Sequence, residues 1–144
     1  MLESRGEARI ACPAEVIFDY LADMRNEPEW LPGASDVEQT SAGEIGPGTT
    51  FTGTYARAGR VSCELSAFDR PRALTIHGEA KGMSFDDEIS LREIDGETQL
   101  TATMRTMPKG MFKLVAPMMG RVIDRQFQAN WDRLKARLEA SPAD

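Results

Sequence analysis

The stretch Ile89-Ser90-Leu91-Arg92-Glu93-Ile94-Asp95-Gly96-Glu97-Thr98-Gln99-Leu100-Thr101-Ala102 decides the fold. Asp95-Gly96 is a pair favoured by a tight hairpin turn, because both turn positions need a positive φ. Folding the chain there pairs Ile94 with Glu97, which sets Leu91 opposite Leu100 and Ile89 opposite Ala102. Apolar meets apolar on one face, as a sheet with one buried side requires.

Working upstream, the same test succeeds at other turns. Lys81-Gly82 leads into Phe85 and sets Asp87 beside Ile76. Asp69-Arg70-Pro71-Arg72 makes a turn that places Ala67 opposite Leu74 and Leu65 opposite Ile76. Arg57-Ala58-Gly59 reads as a hairpin loop with Gly59 left-handed, pairing Tyr55 with Val61, Gly53 with Cys63 and Phe51 with Leu65. A continuous antiparallel meander is expected from Ser35 onward. Ahead of it, Glu3 to Ala11 alternates Ala8 and Ile10 with Glu7 and Arg9, the period of a half-buried strand. Pro13-Ala14-Glu15 opens a short helix, with Val16, Ile17, Tyr20 and Leu21 at helical spacing. Pro28 and Pro32 then leave room for about one helical turn carrying Trp30.

Downstream the period changes. Val115, Met119, Val122, Ile123, Phe127, Trp131, Leu134 and Leu138 form one apolar stripe of a long amphipathic helix. Pro117 and Gly120 are expected to kink or divide its start, leaving 111–116 as a separate turn or a mobile lip, and residues 141–144 read as a tail.

Composition narrows the function classes. The chain has 144 residues, enough for one domain spanning 1–144, and its 41% hydrophobic and 28% charged residues are an ordinary globular balance. Acids outnumber bases 23 to 17, which argues against nucleic acid as a partner. The nearest basic cluster is Arg121, Arg125, Arg133, Lys135 and Arg137, interleaved with Asp124, Asp132 and Glu139; it reads as a solvated helix face. No run approaches the ~20 apolar residues of a membrane span, and Met1-Leu2-Glu3-Ser4-Arg5 lacks a signal peptide's apolar run, so a cytoplasmic protein without integral membrane association is expected. Cys12 and Cys63 are far apart and His77 stands alone, so no metal site, no cofactor and no Cys-His nucleophile is expected.

Parity sorts the remaining candidates. Phe51, Tyr55, Leu65, Ile76, Phe85, Ile89, Met104, Met119, Ile123 and Phe127 should face a shared interior. His77, Glu64 and Glu88 should point outward, which removes them from acid-base work in that interior. Asp87 is the odd residue. It falls opposite Met104 on the inward face, unless a bulge turns it out or the sheet's end exposes it to water. If inward, its pKa should rise unless Tyr55, Asn130, a basic side chain or trapped water hydrogen-bonds the charged form, and it should fix the polar end of a ligand. Trp30 is either a rim of the cavity entrance, facing a second lip at 111–119, or a cap over the core. Asn130 lies at the edge of the helical stripe, to bond a ligand or cap a strand end. The inward small residues Gly53, Cys63, Gly78 and Ala102 leave space that one helix cannot fill.

Taken in order, Ile10-Ala11-Cys12-Pro13-Ala14-Glu15-Val16-Ile17-Phe18-Asp19-Tyr20-Leu21, Trp30-Leu31-Pro32, Phe68-Asp69-Arg70-Pro71 with Leu74, Gly96-Glu97-Thr98-Gln99-Leu100-Thr101 and Trp131-Asp132-Arg133-Leu134-Lys135 carry a resemblance. The chain resembles the START-like (SRPBCC, helix-grip) superfamily, and within it is most similar to bacterial polyketide cyclase/dehydrase-like proteins. The resemblance implies an α+β helix-grip fold: a curved seven-stranded antiparallel sheet wrapped around the last helix, enclosing a cavity for an apolar molecule. It supplies no catalytic motif. Binding of a small hydrophobic or amphipathic ligand, by a monomer or homodimer, is the leading expectation, with Trp30, Phe51, Tyr55, Ile76, Phe85, Asp87, Met104, Met119, Ile123, Phe127 and Asn130 as candidate contacts. A cyclase/dehydrase-type enzyme using the same cavity, or an interaction module of the chaperone-activator type, are the alternatives.

Overall fold

The two left-handed residues at Asp95 and Gly96, with φ of 52° and 81°, close one hairpin of a seven-stranded sheet. The computed structural model describes residues 1–140; the expected tail at 141–144 lies outside the described residues. Strand β1 is Leu2–Ile10, followed by helix α1, Ala14–Ala22, and a 3-10 helix, Met24–Glu29. Then come β2 (Ser35–Gln39), β3 (Thr50–Tyr55), β4 (Gly59–Asp69), β5 (Ala73–Glu79), β6 (Met83–Ile94) and β7 (Glu97–Pro108), and the chain ends in helix α2, Phe112–Ala140. All neighbours are antiparallel, in the order β1-β7-β6-β5-β4-β3-β2. The fold is an α+β helix-grip.

The β6–β7 register has Ile94, Leu91 and Ile89 opposite Glu97, Leu100 and Ala102, as the sequence predicts. Ile76 pairs with Asp87, and Asp87 with Met104, also as predicted. Two expected registers differ. Arg57 is left-handed as well as Gly59, which tightens the β3–β4 turn, so Tyr55 pairs with Gly59, Gly53 with Val61 and Phe51 with Cys63. A slip of two residues keeps every side chain on its face. Between Leu65 and Ala67 a bulge intervenes, so Phe68 rather than Ala67 opposes Leu74. The bulge turns Phe68 toward the interior, where its ring meets that of Phe18 edge-on at 5.0 Å.

Helix α1 seals one end of the sheet with Ile17, Phe18, Leu21 and Ala22, all buried. Helix α2 lies chiefly across β1. Gly6 makes this possible, since a Cβ there would stand 2.6 Å from the Trp131 ring. The Gln128 amide accepts from the Glu7 N–H at 3.0 Å and donates to the Glu7 carbonyl at 2.9 Å, which satisfies the free edge of β1. Contrary to expectation, Pro117 and Gly120 do not divide α2, and 112–116 belong to the same helix. The expected stripe also breaks up: Phe127, Trp131, Leu134 and Leu138 are buried, whereas Val115 and Val122 are exposed. Before Phe127, Ala116 is the one buried residue of this helix.

Candidate functional site

Three residues per turn bring positions i and i+3 of a 3-10 helix onto one side. Met24, Glu27 and Trp30 follow that spacing from the 3-10 helix to its end, and Met24 and Trp30 are buried. Glu27 is carried inward with them, where the Tyr55 hydroxyl at the end of β3 donates to its carboxyl oxygen. Burial pushes the Glu27 carboxyl up to about 7, and the Tyr55 hydrogen bond only partly opposes this.

Asp87 faces the same interior from β6, where it pairs with Ile76 and Met104. Its Oδ1 is shielded from solvent and has no hydrogen-bond partner among the described residues. Burial first, then the negative charge of Glu27, push its carboxyl up to about 8. The same two causes raise the Tyr55 phenol and push the Cys63 thiol up to about 12. Glu27 is thus felt by Asp87, Tyr55 and Cys63, and no basic side chain offsets either carboxyl. The indole N–H groups of Trp30 and Trp131 are also buried without a partner, their rings 5.6 Å apart.

Around Asp87 the inner face is not packed shut. Tyr55, Phe85, Asp87 and Met104 remain half-buried at this end, while Leu74, Ile89, Leu91 and Leu100 at the α1 end are fully buried. Met119 and Ile123, on the sheet-facing side of α2, are half-buried too. Gly78 adds no free space of its own: the ring of Phe85 lies over it, 2.3 Å from where a Cβ would sit. Outside lies a cleft of about 450 Å³ between the loops at 57–59, 81–83 and 109–112. Glu27 and Asp87 do not line it; Ala58 and Met83 are the walls that the cleft shares with the side chains packed on the core.

The structure therefore gathers Tyr55, Phe85, Asp87 and Met104 at one end of the sheet. Phe51, Ile76 and Phe127 belong instead to the packed core. Trp30, at 8% exposed, covers the core, the second of its two expected roles, and of the expected second lip Met111 and Phe112 line the cleft. Asn130 is occupied by the Arg133 guanidinium at 3.1 Å. His77 lies on the outer face between Asp86 and Glu79, at 2.8 and 2.9 Å, and these carboxylates raise its pKa. Among the described residues no group of three or more His, Cys, Asp or Glu is arranged to hold a metal ion. Sequence reasoning missed Glu27; its signal was the spacing of three from Met24 and to Trp30.

The Tyr55–Glu27 bond is testable. Tyr55→Phe is expected to cost about 1 kcal/mol of stability and to move the Glu27 titration, followed by carboxyl carbon NMR, upward. An unmoved or lowered titration would show that Tyr55 does not hold this carboxyl.

A family described as polyketide cyclase/dehydrase and lipid transport matches residues 1–139. No curated protein matches the sequence. Among solved structures, a START superfamily protein from Mycobacterium smegmatis is similar with a TM-score of 0.79 at 12% identity, covering 96% of this chain and 97% of that one. A conserved protein from Geobacillus kaustophilus gives 0.74 at 17%, covering 97% of each chain. The Zhui aromatase/cyclase from Streptomyces sp. R1128 gives 0.75 at 17%, covering 95% and 93%. At these identities the structures show the fold, and the match of the family over residues 1–139 shows the kinship: this chain belongs to the polyketide cyclase/dehydrase and lipid transport family.

Proposed function

We propose that the chain binds a small hydrophobic or amphipathic molecule between the sheet and α2, with the polar end of the molecule at Asp87 and Glu27. The observation that carries this reading is the shielded, unpartnered Oδ1 of Asp87 among the half-buried Tyr55, Phe85 and Met104. A buried polar atom without a partner is uncommon in a folded protein and costs free energy until a donor reaches it. Carriage or sequestration follows if the ligand leaves unchanged. The test is native mass spectrometry of the purified protein with extraction of any bound molecule, followed by uptake of a fluorescent apolar probe. A ligand or probe is expected at one per chain, and Met104→Trp, which fills the space beside Asp87, is expected to weaken uptake at least about tenfold. No retained molecule, together with no uptake of any fatty or aromatic probe, would overturn the reading.

One observation favours a second reading, a cyclase- or dehydrase-type enzyme in the same cavity. Two carboxyls with pKa values near neutrality, about 7 at Glu27 and about 8 at Asp87, are suited to give and take protons at working pH. Asp87, holding its proton longer, would be the acid and Glu27 the base. Release of water from a bound β-hydroxy ketone, lost on Glu27→Gln with probe binding retained, separates this reading from simple binding.

A further inference from the structure

The first three turns of α2 carry apolar side chains on two sides. Ala116, Met119 and Ile123 face the sheet, while Leu114, Val115, Met118 and Val122 face solvent. Leu114 is 78% and Met118 84% exposed, and Met111 and Phe112 just before them are 82% and 50% exposed. An amphipathic helix of a globular domain shows one apolar stripe; a second, outward one contributes nothing to the core. This outward stripe begins at the cleft, whose wall includes Met111 and Phe112.

The charges around it have one dominant sign. Lys113, Arg121 and Arg125 stand exposed on the same helix, and Arg57, Lys81 and Lys109 stand on the loops that form the cleft. Of these six, only Lys109 has an ion-pair partner among the described residues, Glu79 at 2.7 Å. Asp124, the one acid on this part of α2, is bonded inward to Ser4 at 2.8 Å. This is a cationic, apolar mouth on a chain of net charge −6. Among the described residues no helix is long and apolar enough to cross a membrane.

We infer that the cavity mouth docks on the surface of an anionic phospholipid bilayer, with Leu114, Met118 and Val122 entering the headgroup boundary and Lys113, Arg121 and Arg125 pairing with lipid phosphates. Exposed apolar side chains flanked by cations match such a surface in both chemistry and sign. A partner protein with an acidic rim would satisfy the charges but would have to bury a convex helix. A second copy of this chain would bring the two cationic mouths together, which their like charge opposes. Docking this way places the cleft over the bilayer, so that an apolar molecule could pass between the two without crossing water.

The test is co-sedimentation of the whole chain with vesicles of phosphatidylcholine alone and of phosphatidylcholine with about 30% phosphatidylglycerol. The wild type is expected to pellet with the anionic vesicles only, and to be released as salt rises from about 0.05 to 0.5 M. Leu114→Asp/Met118→Asp is expected to weaken pelleting at least about tenfold, and Arg121→Glu/Arg125→Glu at least about twentyfold at low salt, both with unchanged melting, since all four side chains are exposed. Val16→Asp, an exposed apolar position on α1, should bind like the wild type. Failure of the wild type to bind anionic vesicles, or binding indifferent to both double variants, would overturn the inference. So would a wild-type dimer in light scattering that Leu114→Asp/Met118→Asp converts to monomer, since the apolar stripe would then belong to a second copy.

Discussion

Phe127→Asp is expected to leave the chain without a cooperative thermal transition in circular dichroism. Phe127 is 5% exposed and meets the Trp131 ring edge-on at 5.6 Å, and Trp131 in turn lies 5.6 Å from Trp30. It is therefore one end of a series of three rings, with Trp131 in the middle, that binds α2 to the end of the 3-10 helix. Removing a buried aromatic ring costs about 3 to 5 kcal/mol, and a carboxylate left there without a partner costs several more. A domain of this size holds roughly 5 to 15 kcal/mol in total, so the sum is of the same size as the whole stability. Leu114→Asp makes the same chemical change on the same helix at an exposed position and should melt like the wild type. A Phe127→Asp variant with wild-type melting would mean that α2 does not pack on this face.

The contrast between those two positions also shows where sequence stops informing. Periodicity assigns Val115, Val122 and Phe127 to one stripe, but only Phe127 is buried. Which turns of a helix touch the sheet depends on the angle at which it crosses, and that is set elsewhere, by Gly6 against Trp131 and by the Gln128 clasp on β1. The sheet itself was legible because turn residues fix register locally: Asp95-Gly96 alone places Leu91 against Leu100 and Asp87 against Met104. The bulge at Ser66 was not legible, since no residue type there demands one. Asp87 could be found because parity in a strand is strict. Glu27 was harder, because its spacing of three from Met24 and to Trp30 covers a single short 3-10 helix, and its bond to Tyr55 comes from β3, 28 residues away.

Asp87→Asn is expected to melt higher than the wild type, by an amount that grows with pH. The Asp87 carboxyl titrates near 8 in the folded chain against an ordinary value near 4. A raised acid keeps its proton in the folded state at pH values where the unfolded chain has lost it. Its favourable protonated form is fully retained below about pH 4, and stability falls as pH rises through the interval, levelling off above about 8. Asparagine does not titrate, so the variant lacks this slope. The two proteins should converge toward pH 4 and separate to a plateau near pH 8. Four pH units set a ceiling of about 5 kcal/mol; partial solvent access around the half-buried Asp87 reduces the expected gap to about 2 or 3 kcal/mol, or roughly 5 to 10 °C in melting temperature. Glu27→Gln should flatten the curve over a narrower interval, from its ordinary value to about 7. Because the Glu27 charge is one cause of the Asp87 shift, it should also lower the Asp87 titration, and the double variant should gain less than the two single gains combined. Parallel melting curves for wild type and Asp87→Asn from pH 5 to about 9 would place this carboxyl in water and remove it from the interior site.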